Sequence, residues 1–240
     1  MPEPVQRVLL KLSGEALGGS AGAGIDAGVI RRIAGEVAQA QADGLEIGVV
    51  LGGGNLFRGA ALAQTGMDRV TGDQMGMLAT IMNGLAFRDV LRAQGCAAQL
   101  MSAFPVGSMV AGFSQQQALQ WLDAGQVVIF AGGTGNPFFT TDTAACLRAV
   151  EMGADLVLKA TKVDGIYDRD PARHADARRF EALSYDDVIQ RDLQVMDLTA
   201  ICLCRDHGLP LMVFDMDAPG ALRRIASGEH VGTLVDEHGA

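Results

Sequence analysis

Lys11-Leu12-Ser13-Gly14 closes a short apolar run, Val5–Leu12. A lysine leaving a buried strand beside Ser-Gly can set an ammonium against a phosphate while the next backbone N–H groups form an anion nest. An ordinary surface lysine at a strand end fits the same four residues. Gly52-Gly53-Gly54-Asn55-Leu56-Phe57-Arg58-Gly59 is more specific. Three glycines at a strand end are unfavourable unless the backbone needs them, and Arg58 offers a planar fork for phosphate. In a third loop, Thr134-Gly135-Asn136-Pro137-Phe138-Phe139-Thr140-Thr141-Asp142, polar and aromatic residues take turns. Such a loop can enclose a base and hydrogen-bond its edge. Alternatively, Phe138 and Phe139 anchor a core and Asp142 caps the next helix. Lys159–Tyr167 follows a further apolar run; Tyr167 could lie against a ring and Asp170 could accept from a sugar or base. Read alone, it is a lysine-rich turn with a surface Tyr. Asp197 precedes a helical stretch and reads as its cap, with the orientation of a lysine as the alternative role.

The elements that must carry these loops alternate. Strands are expected at Val5–Leu12, Leu45–Leu51, Cys96–Met101, Gln126–Ala131, Asp155–Ala160, Leu211–Phe214 and Thr233–Val235. Helices are expected from Asp26 to about Ala42 and over Asp73–Ala93, Gln115–Leu122, Thr143–Met152, Leu198–His207 and Ala218–Ala226. In the second of these, Met75, Leu78, Met82 and Leu85 define one face, and Arg88 and Arg92 lie together away from it. Strand–helix alternation predicts an α/β fold with a mainly parallel sheet and helices on both faces. In such sheets, ligands bind outside the carboxyl ends of the strands, which is where the glycine-rich loops fall. Neither GxxxxGK[ST] nor a GxGxxG after the first strand is present, so the common nucleotide folds are not supported.

The 240 residues are 49% apolar with a net charge of −9 and a pI near 4.8. The basic stripe of a nucleic-acid binder is not visible, so an anionic substrate must be met by local donors. Cys96, Cys146, Cys202 and Cys204 show no CxxC spacing and read as buried, reduced thiols of a cytosolic protein. Val8–Leu10 is broken by Lys11 and Glu15, which does not read as a signal peptide. No charged residue falls between Arg92 and Asp123. Gln94, Gln99, Ser102, Pro105, Gly107 and Gly112 interrupt that stretch, so a buried strand plus an interface loop is expected rather than a membrane span.

Seven segments in one order resemble the bacterial UMP kinases (uridylate kinases) of the amino-acid kinase superfamily. They are KLSGEAL (11–17), GGGNLFRG (52–59), GDQMGMLAT (72–80), GTGNPFFTTD (133–142), LKATKVDG (158–165), VMDLTA (195–200) and PGALRR (219–224). The resemblance implies a three-layer αβα sandwich as one domain over residues 1–240. It implies transfer of the γ-phosphoryl group of ATP to UMP, giving UDP and ADP in pyrimidine biosynthesis. It also implies a cytoplasmic homohexamer with GTP as activator and UTP as inhibitor, and no nucleic-acid or membrane partner. ATP would be held by Lys11, Leu12, Ser13, Gly14, Gly54, Arg58, Thr161, Tyr167 and Asp170. UMP would be held by Gly53, Asp73 and the loop Thr134, Gly135, Asn136, Pro137, Phe138, Phe139, Thr140 and Thr141. Arg88 and Arg92 suit a GTP site, although the later positions Gln99 and Gln126 are neutral, and Gly18–Gly24 has its own wording.

Because the acceptor is itself a phosphate, no strong general base is needed, and positioning with charge stabilisation suffices. Lys11 is the main catalytic candidate, Lys159 the second, and Asp197 is expected to hold Lys11. Magnesium would arrive with ATP, without a dedicated protein metal site. Two alternatives are a superfamily kinase making an acyl or carbamoyl phosphate and a nucleotide-binding protein without turnover. The Phe138–Thr141 loop and Asp73 argue against the first; Lys11, Arg58 and Asp197 together argue against the second.

Overall fold

β1 (Arg7–Leu12) is the strand around which the sheet is built. It pairs in parallel with β2 (Glu46–Leu51) on one side and β6 (Leu156–Thr161) on the other. The computed structural model describes residues 5–19, 22–57 and 66–239. Arg58 lies outside them. Among the described residues the sheet has nine strands in the order β4-β3-β5-β2-β1-β6-β8-β9-β7. β3 is Ala98–Ser102, β4 Ala111–Gly112, β5 Val127–Ala131, β7 Ala182–Ser184, β8 Leu211–Asp215 and β9 Thr233–Asp236. Among these strands of the described residues only the β8–β9 pairing is antiparallel; the others are parallel. Buried on both faces, the central strands read as continuous apolar runs, which is why they are visible in the sequence.

Alternation along β1 sends Leu10 and Leu12 to one face and Leu9 to the other. The first face is covered by α2 (Ala27–Ala42), α3 (Arg69–Ala93) and α8 (Ala221–Ala226) through Ile33, Val37, Phe87, Leu91 and Leu222. The second is covered by α4 (Gln115–Asp123), α5 (Thr141–Met152), α6 (Tyr185–Gln190) and α7 (Leu198–Asp206) through Leu122, Ala149, Tyr185 and Ile201. These are the three layers expected. Asp26 caps α2 as its position predicts, accepting from Gly28 and Val29 N–H.

Several local readings change. Ser13 caps a four-residue helix, α1 (Gly14–Leu17), within the first loop. α3 begins one turn before Asp73 and is capped by Asp68, so Asp73 is not a cap. Its Met75, Leu78 and Met82 face is exposed, and the buried face carries Met77, Thr80, Ile81, Asn83, Gly84 and Phe87. A Cβ on Gly84 would stand 2.8 Å from Leu100 Cδ1, so small residues are what let this helix lie against the sheet. Thr140, not Asp142, caps α5. β7 and α6 escaped the sequence reading; both are short and meet at a Ser184–Asp187 capping box. The uncharged stretch is mixed: Cys96, Leu100, Met101 and Val110 are buried, while Ala97, Gly107 and Met109 are exposed. Among the described residues no helix is long and apolar enough to cross a membrane. Cys96, Cys146 and Cys204 are buried and Cys202 half-buried, and all four are free thiols.

Candidate active site

Parallel strands place the loops after β1, β2, β5 and β6 at one edge of the sheet. The first two press against each other. A Cβ on Gly14 would lie 2.5 Å from Gly54 N, and one on Gly52 would lie 2.6 Å from Gly14 N. A Cβ on Gly53 would lie 2.8 Å from Gly76 O. Close backbone approach therefore demands these glycines. Asn55 and Asn83 exchange side-chain hydrogen bonds of 3.1 and 2.7 Å, and Asn83 Nδ2 donates to Gly52 O at 2.7 Å. This pins the second loop to α3. Leu12 is fully buried and its carbonyl receives the Gly52 N–H, so it sets the position of Ser13 and Gly14 rather than offering a side chain.

The charged centre follows from strand register. Lys11 on β1 is the direct partner of Lys159 on β6, and both point to the face covered by α5. Lys11 is 7% exposed, which removes the surface-lysine reading. Two buried ammonium groups side by side repel unless an anion bridges them. Asp142, in the first turn of α5, does so: Oδ1 is 2.5 Å from Lys11 Nζ and Oδ2 is 2.9 Å from Lys159 Nζ. Lys159 also donates to the Val195 carbonyl. Burial alone would raise the Asp142 carboxyl, but the charges of Lys11 and Lys159 outweigh it and hold it below the usual carboxylate range. Burial lowers Lys159; Asp142 opposes that shift and Lys11 adds to it.

Asp197 does not hold Lys11. It caps α7 by accepting from Ala200 N–H at 2.9 Å, and it accepts the hydroxyls of Thr140 and Thr143, the latter at 2.9 Å. Its contacts tie the start of α7 to the start of α5, and so to Asp142. The bridging carboxylate was the residue the sequence reading missed. Its signal was slight, an acid in the first turn after a loop at the carboxyl edge, which Asp197 shares.

A cavity of about 400 Å³ is lined by Lys11, Thr140, Thr141, Asp142, Lys159 and Asp197. Another, of about 420 Å³, is lined by Thr161, Tyr167, Asp168, Asp170 and Leu193 among others, and shares Lys159, Gln194 and Val195 with the first. The two adjoin through these three residues, and Arg169 and Arg191 also line the second. Thr161 and Tyr167 are held by short bonds of 2.6 Å, Thr161 Oγ1 to Val163 O and Tyr167 Oη to Asp164. Asp170 accepts from Ala172 N–H at 2.9 Å, ordering the turn beneath.

On the other side, Asp73 accepts the Phe138 N–H at 2.8 Å and pairs with Arg69. Thr134 and Asn136 bond to each other within the loop, which leaves Gly135 and Pro137 as its turn residues. Phe138 and Phe139 are 66% and 49% exposed, so they are not core anchors. Arg88 and Arg92 stand elsewhere: fifteen residues of helix separate Asp73 from Arg88, about 22 Å. Arg92 donates to Ala98 O at 2.9 Å and to Gln99 at 3.2 Å, and Gln99 donates to Gln126 at 2.8 Å. Burial, then the charge of Arg92, lowers the Arg88 guanidinium, with Asp89 opposing.

The sequence model described as the Amino acid kinase family matches residues 6–215. A Chromohalobacter salexigens protein named uridylate kinase is 58% identical over 231 residues, covering 96% of this chain and 91% of that protein. A Legionella pneumophila (strain Corby) protein of the same name is 59% identical over 230 residues, covering 96% and 94%. Among solved structures, a UMP kinase from Bacillus anthracis superposes with a TM-score of 0.95 at 41% identity, covering 98% of each chain. One from Ureaplasma parvum gives 0.91 at 34%, covering 97% of this chain and 99% of that one.

Proposed function

The chain belongs to the amino acid kinase family, and from that premise we propose that it transfers the γ-phosphoryl group of ATP to UMP, forming UDP and ADP. The observation that carries this reading is the Lys11–Asp142–Lys159 bridge, which lines one cavity at the carboxyl edge of the sheet and shares Lys159 with a second. The two lysine ammonium groups stand where a phosphoryl group would pass. Negative charge spreads over its oxygens in transit, and fixed, preorganised cations stabilise that charge more than they stabilise the ground state. An acceptor phosphate oxygen is already ionised, so no side chain must remove a proton.

In this reading Lys11 contacts the transferred group and Lys159 assists it. Asp142 holds both at fixed positions, and Asp197, through Thr140 and Thr143, holds the helix that carries Asp142. Ser13, Gly14, Gly54 and Arg58 serve the triphosphate; Thr161, Tyr167 and Asp170 serve the adenosine. Gly53, Asp73 and the loop Thr134–Thr141 serve UMP. Magnesium, travelling with ATP, offsets the charge of the phosphates; Asp142 and Asp197 are the carboxylates beside that path.

We propose also a single catalytic domain acting in the cytoplasm in pyrimidine biosynthesis, and a homohexamer. The exposed Met75, Leu78 and Met82 face of α3 supports a subunit contact, as does the exposed part of the uncharged stretch, Met109 included. A GTP response through Arg88 and Arg92 would be weak, because Arg92 is already committed to Ala98 and Gln99. UTP would inhibit by occupying the UMP side. The test of the main reading is ADP release with UMP, CMP, glutamate, aspartate and carbamate in parallel. UMP is expected to be preferred over CMP by orders of magnitude, since a site built for one base edge leaves buried groups unpaired with the other. Equal use of UMP and CMP, or turnover with an amino acid or carbamate only, would overturn it.

A further inference from the structure

Phe138 is one of two non-glycine residues with positive φ among the described residues, at +73°. That conformation is costly for a side chain with a Cβ and persists where surroundings enforce it. Phe138 lies in a loop and is 66% exposed, so packing does not enforce it. Two contacts do. Its N–H donates to Asp73 Oδ2 at 2.8 Å, and Arg69 Cζ sits 5.8 Å from its ring centroid, within cation–π range. Arg69 also fixes Asp73: Nε lies 2.8 Å from Oδ1 and 2.9 Å from Oδ2. Arg69 and Asp73 are one turn apart on α3, so the helix pre-sets this pair.

We infer that Arg69 is a positioning residue of the acceptor subsite. It aims the Asp73 carboxylate and holds the strained tip of the Thr134–Thr141 loop, so that a sugar-binding carboxylate and a base-binding loop form one unit. The inference deepens the UMP reading and rests on it. A carboxylate has about four lone-pair positions. Arg69 and the Phe138 N–H occupy the helix side and the loop side, leaving an acceptor position for a sugar hydroxyl. The chemistry selected is a cis-diol ribonucleotide rather than its 2′-deoxy analogue. Arg69 touches neither the lysine bridge nor the adenosine end of the cleft, so its effect is confined to the acceptor.

The experiment compares the wild type with Arg69→Gln and Arg69→Lys, measuring kcat and KM for UMP, dUMP and ATP, with thermal unfolding on each protein. Arg69→Gln is expected to raise KM for UMP about tenfold, the scale of one charge-assisted hydrogen bond. KM for ATP and the unfolding temperature should be unchanged, and the preference for UMP over dUMP should narrow. Arg69→Lys, which keeps the charge without the fork, should fall between, and carries the same test if the Gln variant folds poorly. A structural role alone would shift KM for UMP and ATP together with stability, leaving UMP over dUMP selection intact; that result overturns the inference. So does an Arg69→Gln enzyme indistinguishable from the wild type. A wild type that makes no UDP overturns the proposed function itself and the inference with it.

Discussion

The lysine bridge and the acceptor loop are built on opposite principles. Lys11, Lys159 and Asp142 sit on two paired strands and the first turn of a helix, Lys11 buried and the other two half-buried, with Asp142 bridging both lysines. The Thr134–Thr141 loop hangs outside the sheet, with two exposed phenylalanines and one strained torsion, tied to α3 through Asp73. In the first region the functional geometry is the fold's own geometry. In the second it is set by a local clasp on a scaffold that folds without it. Loss of the bridging carboxylate should therefore cost stability and kcat together, and damage to the clasp should cost acceptor affinity alone. A result that mixed these signatures would break the distinction.

The largest effect is expected from Asp142→Asn. It leaves two buried ammonium groups facing each other, a loss of about 3 kcal/mol, which for a chain of this size lowers Tm by roughly 6–12 °C. kcat should fall about 10²–10³-fold, the scale for losing one preorganised charge arrangement. Lys11→Ala should lose a similar amount in kcat and far less Tm, because it removes a buried charge along with its partner interaction. Calorimetry and steady-state rates on the two variants check this; an Asp142→Asn enzyme with unchanged Tm would show that the bridge is not held by charge.

Asp73→Asn comes next. It keeps an acceptor for the Phe138 N–H but loses the charge paired with Arg69. KM for UMP should rise about tenfold, with KM for ATP and Tm unchanged. Combining it with Arg69→Gln sharpens the comparison, because two members of one unit should be non-additive. Additive losses would mean that the two residues act separately.

How much of this was legible in the sequence follows the same division. The glycine loops were readable because three glycines in a row weaken a strand end unless the backbone must pass close to something, and strand–helix alternation gave the layers. The bridge was half readable. Lys11 and Lys159 stood out at strand ends, but their juxtaposition depends on β1 pairing with β6 across most of the chain, and nothing local encodes that. Asp142 and Asp197 each sit near a helix start, so spacing could not say which one meets the lysines. The apolar stripe of α3 was legible and its direction was not. Periodicity marks a stripe, whereas close packing on β3 and β5 selected the face with Gly84, Thr80 and Asn83. Arg69 went unread although it lies one turn before Asp73, and the link from Asp73 to Phe138 spans 65 residues.

The smallest effect concerns acid. Burial pushes the Asp142 carboxyl up, and the Lys11 and Lys159 charges more than compensate, so its folded pKa is below the usual value. A depressed carboxylate contributes stability that is complete above its unfolded pKa, about 3.9, and is lost as pH falls toward the folded value. The exposed carboxylates Asp168 and Asp187 are also depressed, the first mainly by a backbone hydrogen bond and the second by Ser184, so a wild-type acid profile alone cannot isolate Asp142. The difference between wild type and Asp142→Asn can, since the other two titrate in both. That difference in unfolding free energy should be constant from pH 7 to about 5 and narrow below about pH 4 as the carboxylate protonates. Denaturant unfolding of both proteins at stepped pH measures it. A gap that held constant well below pH 4 would mean that the aspartate is worth no more ionised than neutral, and the bridge would then be hydrogen bonding rather than charge.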